Sequence, residues 1–119
     1  MDRAPTHSGS SVIRFAITTF PDEEVATRVI HELVEARLAA CGTILPGAQS
    51  IYQWNGAIQK NTEVLAIFKL LAEGYRSFEH ALLERHPYDT PEVAAFDPTD
   101  VSSAYADWVL THCKAPTAS

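Results

Sequence analysis

The chain has 119 residues and a mass of 13.1 kDa, which favours a single domain of ordinary size. It is 46% hydrophobic and 20% charged, so the disordered, collagen-like and coiled-coil classes are excluded. Nine Lys and Arg against fifteen Asp and Glu give a formal net charge of −6. This charge argues against a nucleic acid or an anionic membrane as partner, because both require basic residues, whereas it permits a cation.

The ends of the chain and its cysteines indicate where the protein resides. We expect residues 1–11 and 114–119 to be flexible tails of one domain at residues 12–113. The N-terminal residues lack the apolar segment of a signal peptide, and no apolar run reaches the ~18–20 residues of a membrane span. Cys41 and Cys113 have no zinc-ligand spacing, which favours reduced thiols. The sequence therefore predicts a cytoplasmic protein without a membrane anchor.

The first half of the chain predicts a strand, a helix and a second strand. Residues 12–19 are rich in β-branched side chains, which is typical of a buried strand. Asp22 is placed to cap a helix whose apolar residues recur at helical spacing as far as Ala40. The second strand follows and runs to Trp54, with an interruption at Pro46 because proline cannot donate to a ladder.

The pair Asn55-Gly56 predicts a tight hairpin turn, since a type I′ turn needs two residues that tolerate positive φ. The third strand then extends to about Leu71. Each arm of this hairpin has about 14 residues, or roughly 45 Å, whereas a domain of this size is only about 35 Å across. The extended hairpin must therefore curl or project, and projection exposes side chains such as Ile51 and Ile58. We expect a partner subunit to cover them.

The second half of the chain predicts a helix, a strand and a last helix. The helix spans about Gly74 to Arg85 and ends before a proline-bracketed loop at residues 86–91. A short strand follows at residues 92–96, and a C-terminal helix begins near Ser102. The order is β-α-β-β-α-β plus a terminal helix. This is the ferredoxin-like split β-α-β arrangement of the α+β class, with helices on one face of an antiparallel sheet.

Individual residues suggest a metal site rather than a catalytic one. Motifs such as G-x-S-x-G, H-E-x-x-H and G-x-G-x-x-G are absent, which favours a non-enzyme. His86 lies in the rigid loop near Tyr88 and Glu92, where an imidazole suits a transition metal; the alternative is a histidine that caps the preceding helix. Cys41 is either a soft ligand for Cu(I) or a small core residue.

Two pairs of residues in the hairpin also attract attention. Glu63 and Lys69 alternate onto one face of the third strand, and an internal ion pair is the simplest interpretation because a charge there needs a partner. Tyr52 and Trp54 precede the hairpin turn. They form either a stacking platform or part of a core or an interface.

Several short motifs occur in an order that resembles the CutA family of divalent-cation-tolerance proteins. The resemblance covers about residues 12–113 and implies a cytoplasmic homotrimer of ferredoxin-like subunits whose strands complete each other's sheets. It also implies tolerance of copper and other divalent metals, with copper binding but no obligatory cofactor. The motifs are Leu38-Ala39-Ala40-Cys41, Pro46-Gly47, Ser50-x-Tyr52-x-Trp54-x-Gly56, Glu63, His86-Pro87-Tyr88-x-x-Pro91-Glu92 and Tyr105-x-x-Trp108.

The copper site that this resemblance implies is incomplete in the chain. The family site uses a cysteine at the end of the first strand and a His-His pair before Pro-Tyr. Here Thr18 occupies the cysteine position and Arg85 the first histidine position, so that only His86 remains. Our first hypothesis is therefore a trimeric, non-enzymatic, metal-responsive protein, with His86 as the first candidate ligand for copper or another divalent cation and Cys41 as the second.

The second hypothesis is a signalling or adaptor trimer that resembles the PII-type regulators, which share the subunit fold. Clefts between its subunits would bind a small ligand or a partner protein. The residues expected to line these clefts are Tyr52, Trp54, Glu63, Lys69, Tyr88 and Glu92.

Overall fold

The computed structural model describes residues 6–8 and 12–114. Its elements follow the predicted order with two short strands added, one before the first predicted strand and one before the last helix, and the α+β class is confirmed. The helices are α1 (Glu23–Glu35), α2 (Tyr75–Arg85) and α3 (Ser103–His112), and a 3-10 turn at Ala72–Gly74 precedes α2. The strands are β1 (Thr6–Ser8), β2 (Ile13–Phe20), β3 (Cys41–Trp54), β4 (Ala57–Leu71), β5 (Val93–Phe96) and β6 (Asp100–Ser102).

One antiparallel sheet carries the domain, with strand order β3-β4-β2-β5. In β4 every second residue from Val64 to Leu70 is buried, as expected of a strand with one covered face. The helices supply that cover: the Phe78 ring of α2 lies edge-on to the Phe68 ring with centroids 5.0 Å apart, and Leu33 of α1 is fully buried in the same core. The prediction of helices on one face is therefore confirmed.

Helix α1 begins where the sequence predicts and ends earlier. The Asp22 carboxylate accepts a hydrogen bond from the Val25 amide at 2.8 Å, which satisfies one of the free donors of the first turn. The predicted extension to Ala40 is wrong, because the helix ends at Glu35 and Arg37 adopts a left-handed φ of 62°. Ala40 is nevertheless buried. Its apolar spacing therefore reflects packing of the connection to β3 and not a further helical turn.

Strand β3 contains the interruption that Pro46 predicts. Leu45 pairs with Leu65 and Ala48 pairs with Glu63, so the register shifts by one residue between these pairs. This is a β-bulge, which bends a strand and increases its twist. Gly47 lies in the bulge at a φ of +78°, a conformation that glycine adopts without steric cost.

The hairpin projects beyond the sheet. Strand β2 pairs with β4 only as far as Val64, so residues 48–63 form a two-stranded segment, called the ribbon below. Its turn has positive φ at both Asn55 and Gly56, as a type I′ turn requires. The described residues extend 56 × 38 × 23 Å with a radius of gyration of 15.9 Å, whereas a compact domain of this length has about 13 Å. The ribbon accounts for this elongation.

Part of the expected N-terminal tail forms a strand. Residues 6–8 pair with β6 in antiparallel register, and the other residues of the segment 1–11, like residues 115–119, lie outside the described part of the chain. Within the described residues, every helix is too short or too polar to cross a membrane.

Candidate functional site

A cavity of about 760 Å³ lies between the ribbon and the loop that follows α2. Of the six residues expected to line a cleft, five line this cavity and Lys69 does not. The side chains come from β2, from both strands of the ribbon and from the loop, which the topology brings together at one end of the sheet. The lining residues are Thr19, Ser50, Ile51, Tyr52, Trp54, Asn61, Glu63, Tyr88, Asp89, Thr90 and Glu92.

Glu63 is the best-connected charged group of the cavity. Its carboxylate accepts a hydrogen bond from the Tyr88 hydroxyl at 2.7 Å. Burial pushes the pKa of the Glu63 carboxyl upward, but hydrogen bonds from Ser50, Tyr88 and Thr19 outweigh that effect and hold the pKa below its ordinary value. Burial and the bond to Glu63 raise the pKa of the Tyr88 phenol. The pair is therefore a carboxylate and a neutral phenol at neutral pH.

The predicted ion pair between Glu63 and Lys69 is wrong. The two residues do share a face of β4, but they are six positions apart, or about 20 Å along a strand. Lys69 pairs with Cys41 at the other end of the sheet, and its ammonium group donates to the hydroxyl of Thr43. Tyr88, on a loop distant in sequence, supplies the partner that Glu63 needs.

His86 is buried, and protein atoms occupy both of its ring nitrogens. The Tyr88 amide donates to Nδ1 at 3.2 Å, so the neutral ring carries its proton on Nε2. Nε2 donates to the Thr19 carbonyl at 2.9 Å and lies 3.1 Å from the Thr18 hydroxyl. The ring also stacks on Phe20 with centroids 4.7 Å apart. A metal at His86 would therefore displace one of these hydrogen bonds.

Cys41 lies in a different part of the molecule. Its thiol is half-buried at the start of β3 and lies 3.7 Å from the Tyr105 hydroxyl of α3. Burial, with a contribution from the Cys41 thiol, raises the pKa of Tyr105 to about 12. Cys41 pairs with Lys69, whereas Thr18, which contacts His86, pairs with Ala66. Lys69 and Ala66 are three residues, or about 10 Å, apart along β4. His86 and Cys41 therefore lie at different heights along the sheet and do not share a site.

The remaining candidate positions are occupied by structural contacts. Thr18 is fully buried against His86. The Arg85 guanidinium donates to Glu32 of α1 at 2.9 Å and to the Ala81 carbonyl, so it ties α2 to α1. Among the described residues, no three His, Cys, Asp or Glu side chains are close enough together to hold a metal ion.

Sequence reasoning missed several polar residues of the cavity. Thr19 and Ser50 share the Glu63 carboxylate, and Asp89 lies beside them in the loop. A signal was present for Thr19, because it ends a buried strand directly before the Phe20-Pro21 boundary, where polar groups collect at the sheet edge. Ser50 carried no comparable signal, since its position depends on the bulge that precedes it.

The chain matches one known sequence family over most of its length. The model of the family described as CutA1 divalent ion tolerance protein matches residues 14–112. The chain belongs to the CutA family. Sequence relatives include the divalent-cation tolerance protein CutA of Pectobacterium atrosepticum, 38% identical over 78% of this chain and 84% of that protein. The protein of the same name from Thermus thermophilus is 37% identical over 78% of this chain and 90% of its own length.

Solved structures of CutA proteins share the fold. CutA from Synechococcus elongatus superposes with a TM-score of 0.87 and 34% identity, covering 92% of this chain and 96% of that one. CutA1 from Oryza sativa gives a TM-score of 0.84 and 28% identity, covering 90% and 98% of the two chains. The resemblance derived from short motifs is therefore confirmed, and with it the fold. The names of these CutA relatives carry no enzymatic activity.

The burial of His86 generates a prediction about pH. Burial lowers the pKa of His86 below 6.5, against the opposing effects of the Thr19 carbonyl and Glu63. The unfolded chain therefore binds the proton more readily than the folded chain. We expect the free energy of unfolding to be level above about pH 7 and to fall as the pH drops through 6.5. Urea denaturation between pH 5 and 8 measures this dependence.

Two histidine variants test whether His86 causes the fall in the free energy of unfolding. His86→Gln should remove much of the fall, whereas His80→Gln should keep it, because His80 is exposed beside Glu84. An NMR titration in which the His86 ring shows a pKa of 6.5 or higher contradicts the prediction.

Proposed function

We propose that the protein is a homotrimeric, non-enzymatic divalent-cation-tolerance protein that binds a metal ion and acts in the cytoplasm. Membership of the CutA family supports the role in cation tolerance. The net charge of −6 is compatible with a cation as ligand. Cys41 and Cys113 are free thiols, as in proteins of reducing compartments.

The main observation that supports a trimer is the exposure of apolar side chains on the ribbon. Ile51, Trp54 and Ile58 are 66%, 63% and 70% exposed. Burying an aliphatic side chain of this size is worth about 1.5–3 kcal/mol, and exposed strands with apolar side chains attract other strands. A closed ring of subunits covers such a ribbon without leaving a free copy of it, because each subunit donates its ribbon and receives a neighbour's.

The face of the sheet opposite the helices supports the same conclusion. Phe15 and Phe96 pack edge to face there with centroids 5.8 Å apart, and Phe96 remains 47% exposed. Ile17 pairs with Ile67 on the same face, and both are half-buried. An apolar sheet face of this kind is typical of an interface.

We expect light scattering at micromolar concentration to give a mass of about 39 kDa, three times the 13.1 kDa of one chain. Replacing Ile51 and Ile58 by Lys should lower this mass, because the ribbon would then carry charges into the interface. Leu83→Lys is the matched control, since Leu83 is also exposed but lies on α2. A wild-type chain that remains a monomer contradicts the proposal.

The two proposed metal ligands differ in the hydrogen bonds that a metal ion would have to displace. Binding at His86 costs a hydrogen bond at one of its nitrogens. Within the described part of the chain, the one hydrogen-bond contact of the Cys41 thiol is the long contact of 3.7 Å to the Tyr105 hydroxyl, and a thiolate is a preferred ligand of Cu(I). We therefore propose Cys41 as the stronger ligand and His86 as the weaker one, each acting with groups of a neighbouring subunit.

Calorimetric titration with Cu(I), Cu(II) and Zn(II) tests this assignment. We expect Cu(I) to bind with defined stoichiometry and Cys41→Ser to weaken that binding at least tenfold. His86→Ala should affect only a separate and weaker binding event, because the two residues do not share a site. Cys113→Ser is the control, because the Cys113 thiol is buried and burial raises its pKa. Absence of stoichiometric binding of any of the three ions contradicts direct metal binding and makes the role in tolerance an indirect one.

The cavity favours a second candidate function, that of a signalling trimer similar to the PII-type regulators. Its volume of about 760 Å³ falls in the range of small-molecule sites. Its lining combines the rings of Tyr52 and Trp54 with the carboxylates of Asp89 and Glu92. Such a lining offers stacking surfaces and hydrogen-bond acceptors to a small ligand, and the same surface can receive a partner protein.

We expect a thermal-shift screen of nucleotides, carboxylates and amines to yield a ligand that raises the melting temperature of the wild-type protein. Glu92→Gln should reduce the shift, because Glu92 lines the cavity, whereas Glu73→Gln should leave it unchanged, because Glu73 is exposed elsewhere. A screen without any shift counts against this second function and leaves the first untouched.

A further inference from the structure

The ribbon leaves the sheet between Val64 and Glu63, and this position is called the root of the ribbon below. From Val64 to Lys69, strand β4 has neighbours on both sides, whereas before Val64 its only neighbour among the described residues is β3. The β-bulge at Pro46 and Gly47 lies directly opposite this point. A bulge bends its strand, and a two-stranded segment twists more than a wider sheet. Backbone pairing alone therefore leaves the direction of the ribbon weakly determined.

Glu63 is the first residue of β4 on the ribbon side of this root. It pairs with Ala48, the first residue after the bulge. Its carboxylate binds the Tyr88 hydroxyl at 2.7 Å, and the hydroxyls of Ser50 and Thr19 also hydrogen-bond to it. One carboxylate thus connects both strands of the ribbon to β2 and to the loop after α2.

The loop on the other side of this contact is itself anchored. The Tyr88 amide donates to the His86 ring, and the two rings are 5.0 Å apart. His86 in turn donates to the Thr19 carbonyl and stacks on Phe20. The Tyr88 hydroxyl is therefore a fixed point, held by the end of β2, against which Glu63 can position the ribbon.

We propose that Glu63 is a positioning residue that holds the ribbon, through Tyr88, in the one direction that allows subunits to assemble. This inference rests on the proposed trimer. It adds that the contact between Glu63 and Tyr88 orients the ribbon of a subunit before the subunits associate. A ribbon that is already oriented loses less conformational entropy on association. A charged acceptor suits the task, because a hydrogen bond to a carboxylate is about twice as strong as one between neutral groups.

The test measures the assembly and the ribbon separately in the full chain. Sedimentation equilibrium gives the dissociation constant of the oligomer. Residual dipolar couplings compare the orientation of residues 48–63 with that of β2. We expect E63Q and Y88F each to weaken assembly about tenfold or more and to broaden the range of ribbon orientations. The double variant should be no worse than either single variant, because both act through one contact.

The control is Y75F, which removes a hydrogen bond of the same kind, from the Tyr75 hydroxyl to the Glu79 carboxylate at 2.8 Å, within α2 and away from the ribbon. It should leave the assembly and the couplings unchanged. A wild-type dissociation constant in E63Q and Y88F, a Y75F effect as large as theirs, or additive losses in the double variant would each overturn the role of Glu63. A monomeric wild-type chain overturns the proposed trimer itself, so the two failures are distinguishable.

Discussion

The mismatch in length between the β3–β4 hairpin and its neighbours determines most of this structure. Strand β4 has 15 residues, but β2 covers only eight of them, and β5 is shorter still. The surplus must leave the sheet, and it carries apolar side chains into solvent. The bulge, the cavity beside the loop and the proposed subunit interface all lie where the ribbon departs from the sheet or beyond that point.

Hydrogen bonds at the root of the ribbon connect the fold to its candidate function. The His86 ring stacks on Phe20 and lies tilted against Tyr88, and the Tyr88 hydroxyl extends this series of contacts to Glu63. His86 therefore belongs to the framework of the cavity, with both ring nitrogens in use. His86 thus fixes the loop through these contacts, and a metal ion at this residue would have to compete with them.

Local signals in the sequence were accurate wherever one residue type satisfies a local requirement. Asn55-Gly56 predicted the turn, Pro46 the interruption and Asp22 the helix start, since each depends only on its own backbone. Helix α1 was extended too far because apolar spacing reports burial, and Ala40 is buried outside a helix. Five cleft residues were found together, but Lys69 was misplaced, because alternation along a strand identifies a face and not a distance.

The sequence by itself determined the family, the order of the elements, the covered face of the sheet and the surplus length of the hairpin. These features depend on periodicity, turn chemistry and strand length, all of which are local. Only the tertiary structure decided that Tyr88 and not Lys69 partners Glu63, and that His86 and Cys41 lie at different levels of the sheet. Contacts between residues distant in the chain depend on strand register and on a one-residue bulge, which composition and spacing do not specify.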